Sequence, residues 1–496
     1  MRSIFKLLKL LIILLVLLSS VLLYRTFQFQ QDKVNYDKIN LISMDYEAAV
    51  KRFAQSLQIK TISYQNPEDR DPNAIIEFHQ FLLQSFPRLH QQLELTKINQ
   101  YSLLYHWKGE SDLNQHQTKP KPILLMAHFD VVPINPSTLD QWQYPPFDGV
   151  VAEQTIWGRG ALDDKSAVVS LMEAVEQLIS SGFKPNRDIY ISLGHDEEVG
   201  GLEGAAKTAE YLKSKAVEFE FVLDEGGFLT QDIIKGVKLP IGVIGVAEKG
   251  YLSLKLTTQS AGGHSSVPPD ITSIGRLSRA LVAIEEHPFK PRLVAATRGL
   301  LQTLGLQMPF AKRLVMANLW LFEPFVLQQM SHSPLTNASI RTTQALTVFN
   351  AGSKENVLPT EASAIVNLRL LPGDNLKQVL SQVVTTINDP LVKVESLRGI
   401  EATSISDFES YNFELLSKTL QQVSPEADIL IAPNLLSGGT DSKHFISLSE
   451  NVYRLNGVKV DKTSFSGFHG INEHLAIDEY KRSINFYYQL IRHLND

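Results

Sequence analysis

The chain is organised around Trp157-Gly158-Arg159-Gly160-Ala161-Leu162-Asp163-Asp164-Lys165. Two adjacent carboxylates follow a glycine-punctuated turn and open a helical pattern, with apolar residues at 168, 171, 175, 178 and 179 and Gly182 as its stop signal. Acids suit a helix N-terminus through capping and the macrodipole alone. The other reading is a metal-bridging carboxylate at the rim of an α/β sheet. A phosphate loop is excluded, because the glycine spacing before the Lys-Ser pair is wrong.

The flanking chain decides between these readings. Residues 122–127 (PILLMA) form a continuous apolar run, as a central strand covered on both faces requires. That run ends in His128-Phe129-Asp130, a candidate ligand with an acid two residues on to orient its ring. Residues 189–193 (IYISL) end in Gly194-His195-Asp196-Glu197-Glu198, where one Glu can bind metal while its neighbour acts as general base. Residues 221–223 (FVL) end in Asp224-Glu225. Singly, each has a bland alternative: a structural histidine, or a solvated acidic loop. Counted with Asp163-Asp164, polar groups at four successive strand ends match the place where open α/β sheets bind ligands.

Composition narrows the chemistry. The 496 residues are 44% hydrophobic and 20% charged, enough for two to three domains with a large core. There is no cysteine, so any metal is held by His, Asp and Glu, and a cysteine nucleophile is excluded. The net charge of −6 and the lack of a basic, aromatic-interleaved run beyond the first ten residues argue against a nucleic-acid partner. No Gly-x-Ser-x-Gly elbow of a serine hydrolase occurs.

Residues 10–24 (LLIILLVLLSSVLLY) are uncharged and preceded by Arg2, Lys6 and Lys9. The expectation is an uncleaved membrane anchor over 1–24, with the bulk of the chain outside the cytoplasm. The rival is a cleaved signal peptide and a secreted protein. Residues 25–44 read as a linker, 45–246 as the first part of a catalytic domain, 247–405 as an inserted domain and 406–496 as the second catalytic part. The insert begins with the alternating strand 250–258 and includes a helical segment, 288–345, rich in Leu, Phe and Met.

Eight stretches taken in order, MAHFDVVP, WGRGALDDKS, GHDEEVGG, FVLDEGG, GGHSS, NVLPTEASAIVNLRLLPG, GGTDSKHF and FHGINEHL, resemble the co-catalytic zinc aminoacylase / carboxypeptidase S family of metallopeptidases. The resemblance covers most of residues 45–496 and is nearest the branch of carboxypeptidase S and the N-fatty-acyl amino acid synthase/hydrolases. It implies an α/β fold: a mixed, mostly parallel sheet covered by helices, with an inserted α+β lid or dimerisation domain.

Carried onto this sequence, the resemblance implies two Zn²⁺ per subunit. His128, Asp163 and Asp224 would hold one, and Asp163, Glu198 and His469 the other, with Asp163 bridging. Glu225 and His474 are the alternative ligands beside Asp224 and His469. Glu197 would be the general base, Asp130 would orient His128, and a cis peptide would follow Asp163. In the insert, His264 would stabilise the oxyanion, reaching in from a partner subunit in a homodimer, and Asn356 and Arg369 would lie near substrate. The implied substrates are small: an N-acyl amino acid or a peptide, cleaved at an amide bond beside a free carboxylate, or the reverse condensation. The alternative from another class is a membrane-tethered binding protein that keeps the fold without the chemistry.

Overall fold

The computed structural model describes residues 2–30, 36–110, 120–233, 237, 239–426 and 428–495. Part of the expected linker, 31–35, lies outside the described residues.

The body is built on a ten-stranded mixed sheet. Its centre is parallel: Ile189–Gly194, Ile123–His128, Val222–Asp224 and Val452–Arg454 lie side by side in that order. Every residue of Ile123–His128 is buried, as the unbroken apolar run predicts. Glu94–Ile98 and Ser102–Trp107 extend one side antiparallel, and Ile241–Glu248 with Leu430–Leu436 lies toward the other. Helices Tyr46–Gln58, Lys165–Ser180 and Ile477–His493 cover one face within the largest apolar core. Ala205–Ser214 covers the other. Tyr46–Gln58 starts where the sequence places it, capped by Asp45, whose side chain accepts the Ala48 N–H.

The inserted domain has a four-stranded antiparallel sheet of Thr343–Ala351, Glu361–Leu370, Gly250–Gln259 and Val392–Ile400. Alternate residues of Glu361–Leu370 are buried beneath the helices Ser273–Glu286 and Leu376–Ile387. The fold is thus the expected mixed, mostly parallel α/β sheet with a smaller α+β lid.

Two boundaries differ from the sequence reading. The apolar N-terminal helix runs over Arg2–Gln28, past residue 24, because nothing between Arg25 and Gln28 breaks it. Residues 36–44 dock on the body rather than hang free: Ile39 N–H donates to Gln422 O, and Ile42 N–H to Asn485 Oδ1. The helical segment of the insert also departs from the lid. Its helix Ala295–Gly305 packs on the strand Leu430–Leu436 of the large sheet, with Gly299 against Pro433, so its apolar side completes the catalytic core.

Candidate metal centre

The carboxyl ends of the central parallel strands converge on one cluster. His128 ends its strand, and Glu197 and Glu198 sit on a short turn just past Ile189–Gly194. Asp163 comes from elsewhere. It follows Thr155–Trp157, a strand of a separate three-stranded sheet shared with His474–Ala476. The Asp163–Asp164 peptide is cis, as the family resemblance implies.

Asp163 divides its two oxygens between two histidines. Oδ1 lies 3.0 Å from His128 Nε2, and Oδ2 lies 2.9 Å from His469 Nε2. Around this carboxylate the ligand atoms form two groups: His128, Asp163 and Glu225, which is buried, and Asp163, Glu198 and His469, which opens to solvent at His469. Glu225 Oε1 stands 3.5 Å from His128 Nε2, and Glu198 Oε2 stands 3.1 Å from His469 Nε2. Glu198 Oε1 is buried with no hydrogen-bond partner, as suits a donor atom kept for a cation. The donor set, histidine nitrogen and carboxylate oxygen in two threes, fits divalent metal with open positions on each ion.

Asp224, of the expected ligand set, lies outside both groups. It takes a hydrogen bond from Ser442 N–H at 2.8 Å, and the carboxylate beside His128 is that of Glu225. Neighbouring side chains at a strand end face opposite ways, so only one of the pair can meet the histidine. His474 is also directed away from the cluster: its ring packs 4.5 Å from Trp157 and its Nδ1 hydrogen-bonds Asn472 O.

Asp130 is the support beneath the cluster. Its carboxylate lies 3.3 Å from His128 Nδ1 and accepts the Glu197 and Glu198 N–H groups and the Ser63 hydroxyl. One buried acid therefore orients a histidine and the turn carrying both glutamates. His444, without a role in the sequence reading, bonds the Gly200 carbonyl at the end of the same turn. His195 is buried against the Ser102 hydroxyl, and burial pushes its pKa down to about 4, so it stays neutral.

A second support was not legible in the sequence. Glu473 is fully buried and accepts N–H groups of Gly160, Leu162 and Asp163, while pairing with Arg159. The Arg159 guanidinium also donates to Gly470 O. The stretch that positions Asp163 is thereby fastened to the loop that carries His469. Gly160 takes φ +86°, and a Cβ there would meet Val131 at 2.9 Å, so the turn needs glycine.

The ionisation of the cluster follows from this crowding. Burial lowers the His128 pKa, but Asp130, Asp163 and Glu225 outweigh it and raise the ring well above its usual range. Hydrogen bonds to Asp163 and Glu198 raise His469 to about 10. Burial, then Asp163, raises Glu198 to about 7 and Glu225 to about 8. Burial pushes Glu197 well above the carboxylate range, the direction a general base near neutral pH requires.

The lid residues lie apart from the ligands. His264 is exposed on a two-stranded ribbon opposite Val357, its Nδ1 bonded to the Ser266 hydroxyl, and Asn356 sits beside it. Among the described residues, no hydrogen bond or ion pair joins either to the candidate metal-site residues. Arg369 lies over the Tyr251 ring at 4.8 Å, and Arg398 flanks the same ring at 5.8 Å. Arg398, which the sequence reading passed over, reaches Gly200: a Cβ on that glycine would stand 2.5 Å from Arg398 Nη2. The lid thus brings a cation to the turn of Glu197 and Glu198.

The sequence model of peptidase family M20/M25/M40 matches residues 124–493, three quarters of the chain and every residue of both ligand groups. The chain belongs to this family. As a member of M20 it is a metal-dependent hydrolase acting on amide bonds. It is 39% identical over 488 residues to probable carboxypeptidase S-like 2 of Dictyostelium discoideum, covering 96% of this chain and 92% of the relative. It is 37% identical over 443 residues to the N-fatty-acyl-amino acid synthase/hydrolase PM20D1 of Mus musculus, covering 88% and 86%. An M20 family metallo-carboxypeptidase from Sulfolobus solfataricus shares the fold, with a TM-score of 0.65 at 16% identity over 91% of this chain and 100% of that one.

Proposed function

We propose that this M20 chain is a two-zinc amidohydrolase whose substrate is an N-acyl, including N-fatty-acyl, amino acid with a free carboxylate. The observation that carries the proposal is the division of Asp163: one oxygen faces His128 and Glu225, the other His469 and Glu198. His128, Asp163 and Glu225 would hold one metal, and Asp163, Glu198 and His469 the second. When bound, the metals polarise the amide carbonyl and lower the pKa of water toward ~7.

The chain's own residues do the rest. Glu197 takes the proton of the attacking water and returns it to the leaving amine. Asp130 fixes the turn from which Glu197 acts. His264, delivered by a partner subunit, donates to the developing oxyanion. Arg369 and Arg398 are the cations for the substrate carboxylate, where a guanidinium fork matches a carboxylate in geometry. In the reverse direction the same arrangement condenses a fatty acid with an amino acid.

The second reading within this chemistry is a carboxypeptidase, favoured by the Dictyostelium relative's name. Metal-replete protein, wild type and Glu197→Ala, assayed on a long-chain N-acyl amino acid and on a blocked dipeptide, separates the two. Release of amino acid from the first substrate, lost in Glu197→Ala, supports the proposal; release from the dipeptide alone replaces it with the carboxypeptidase.

We further infer that Arg2–Gln28 anchors the chain in a membrane. It is 27 residues long, about 40 Å of helix. Its apolar window is not buried against the body, and no other described helix is long and apolar enough to cross a bilayer. Retention in a carbonate-washed membrane pellet is expected; a soluble, shortened protein would instead show a cleaved signal.

A further inference from the structure

The end of the N-terminal helix is fastened to the helical insert. Thr26 is buried, and the buried Asn318 side chain donates to Leu22 O at 3.2 Å and to Thr26 Oγ1 at 3.3 Å. Arg25 Nε reaches Ala317 O, and the Phe27 and Phe310 rings lie 6.3 Å apart. Asn318 separates the helices Phe310–Ala317 and Leu319–Met330, so both are held where the apolar helix ends.

These two helices present an uncovered apolar face. Phe310, Trp320, Leu321 and Phe325 are 45%, 54%, 39% and 53% exposed. At 100° per residue, Trp320, Leu321, Pro324 and Phe325 fall within about 140° of one side of their helix. Leu319 and Val326, on the opposite side, are buried. Glu323, the acid of this helix, is paired with Arg298. Lys312 and Arg313 stand beside Phe310, and Arg25 closes the apolar helix. Aromatic and aliphatic side chains flanked by cations are the composition of a surface resting among lipid headgroups.

We propose that the exposed face of Phe310–Ala317 and Leu319–Met330 is a membrane-interfacial surface, seated in the headgroup layer of the bilayer that Arg2–Gln28 crosses. The proposal rests on the anchor reading above, and the lipid bilayer itself covers the face. Side chains that bond the last turns of a span sit at the depth where the span leaves the bilayer. Such seating holds the catalytic body against the phase into which long acyl chains partition.

Because the chain has no cysteine, single labels can be placed on it cleanly. Full-length protein carrying an environment-sensitive dye at Phe325→Cys, at Leu15→Cys or at Lys97→Cys is reconstituted into phosphatidylcholine/phosphatidylglycerol vesicles containing a nitroxide-labelled lipid. Lys97 lies on the edge strand Glu94–Ile98, at the far side of the large sheet from Leu430–Leu436. The expected result is a blue shift and nitroxide quenching at 325, with neither at 97. Quenching at 15 but not at 325 overturns the interfacial surface and leaves the anchor standing. Quenching at 325 but not at 15 also overturns the proposal, since the face would then meet lipid without the span that places it there. A blue shift at 325 without lipid quenching also overturns the proposal, since a second copy of the chain then covers the face.

Discussion

Glu473 accepts the backbone N–H of Asp163 at 3.1 Å and so ties the Asp163 segment to the one that follows His469. The Glu473 carboxylate also neutralises the buried Arg159. Glu473→Ala leaves that guanidinium unpaired in the interior, and a loss of about 3–5 kcal/mol in unfolding free energy is expected. Glu473→Gln keeps an acceptor oxygen and is expected to fold, with metal affinity lowered roughly 10–100-fold because Asp163 is less well held. Denaturant unfolding and a metal titration measure the two effects separately.

Glu225 and Asp224 are expected to respond differently to loss of charge. Glu225→Gln should lower the metal content of purified protein, because its oxygen faces His128. Asp224→Asn should hold metal more nearly as the wild type does, because its side chain serves Ser442. Elemental analysis of both variants is the check; the opposite ranking would restore Asp224 as the ligand.

Metal binding should strengthen with pH. His469, raised to about 10 by Asp163 and Glu198, is protonated at pH 7 in metal-free protein, and a metal must displace that proton. Affinity should rise by about tenfold per pH unit for each proton released below that value. The sign for stability of metal-free protein is opposite. A histidine whose folded pKa exceeds the unfolded value of about 6.5 contributes stability that is full below that pH and lost as pH rises through about 10. Metal-free His469→Ala should lose this component, which thermal unfolding across pH 6–10 will show.

Arg398→Met and Arg369→Met are expected to raise KM for substrates with a free carboxylate by roughly 10–100-fold, the range for a charged hydrogen bond. The corresponding methyl ester should show little change. Steady-state kinetics on acid and ester pairs tests this. Equal effects on both would make the two arginines structural supports around Tyr251.

Much of this architecture was legible because the central strands are covered on both faces. Ile123–His128 is wholly buried, and that demands the unbroken apolar run from which the strand was read. His128, Asp163, Glu198 and His469, which the structure draws into one cluster, lie in motifs of distinctive residue order. Which of Asp224 and Glu225 faces His128 was not legible, since it depends on which way one side chain turns at a strand end. Arg159 and Glu473 form a pair 314 residues apart, and no local pattern announces it. Arg398 looks like any solvated cation until the lid is placed over Gly200. The apolar helices of the insert advertised burial, but not that Ala295–Gly305 would take the large sheet as its partner.

In the proposed mechanism Asp163 shares two metals between the histidines while Glu197 moves the proton. Glu197→Gln preserves shape and removes only the base, so the decisive measurement is its metal stoichiometry alongside its kcat. Two metal ions per chain are expected in both wild type and variant, with kcat of the variant down by roughly 10²–10⁴-fold. Two metals with undiminished kcat would dismiss Glu197 as the base, and a fully active wild type holding a single ion would contradict the bridging role of Asp163.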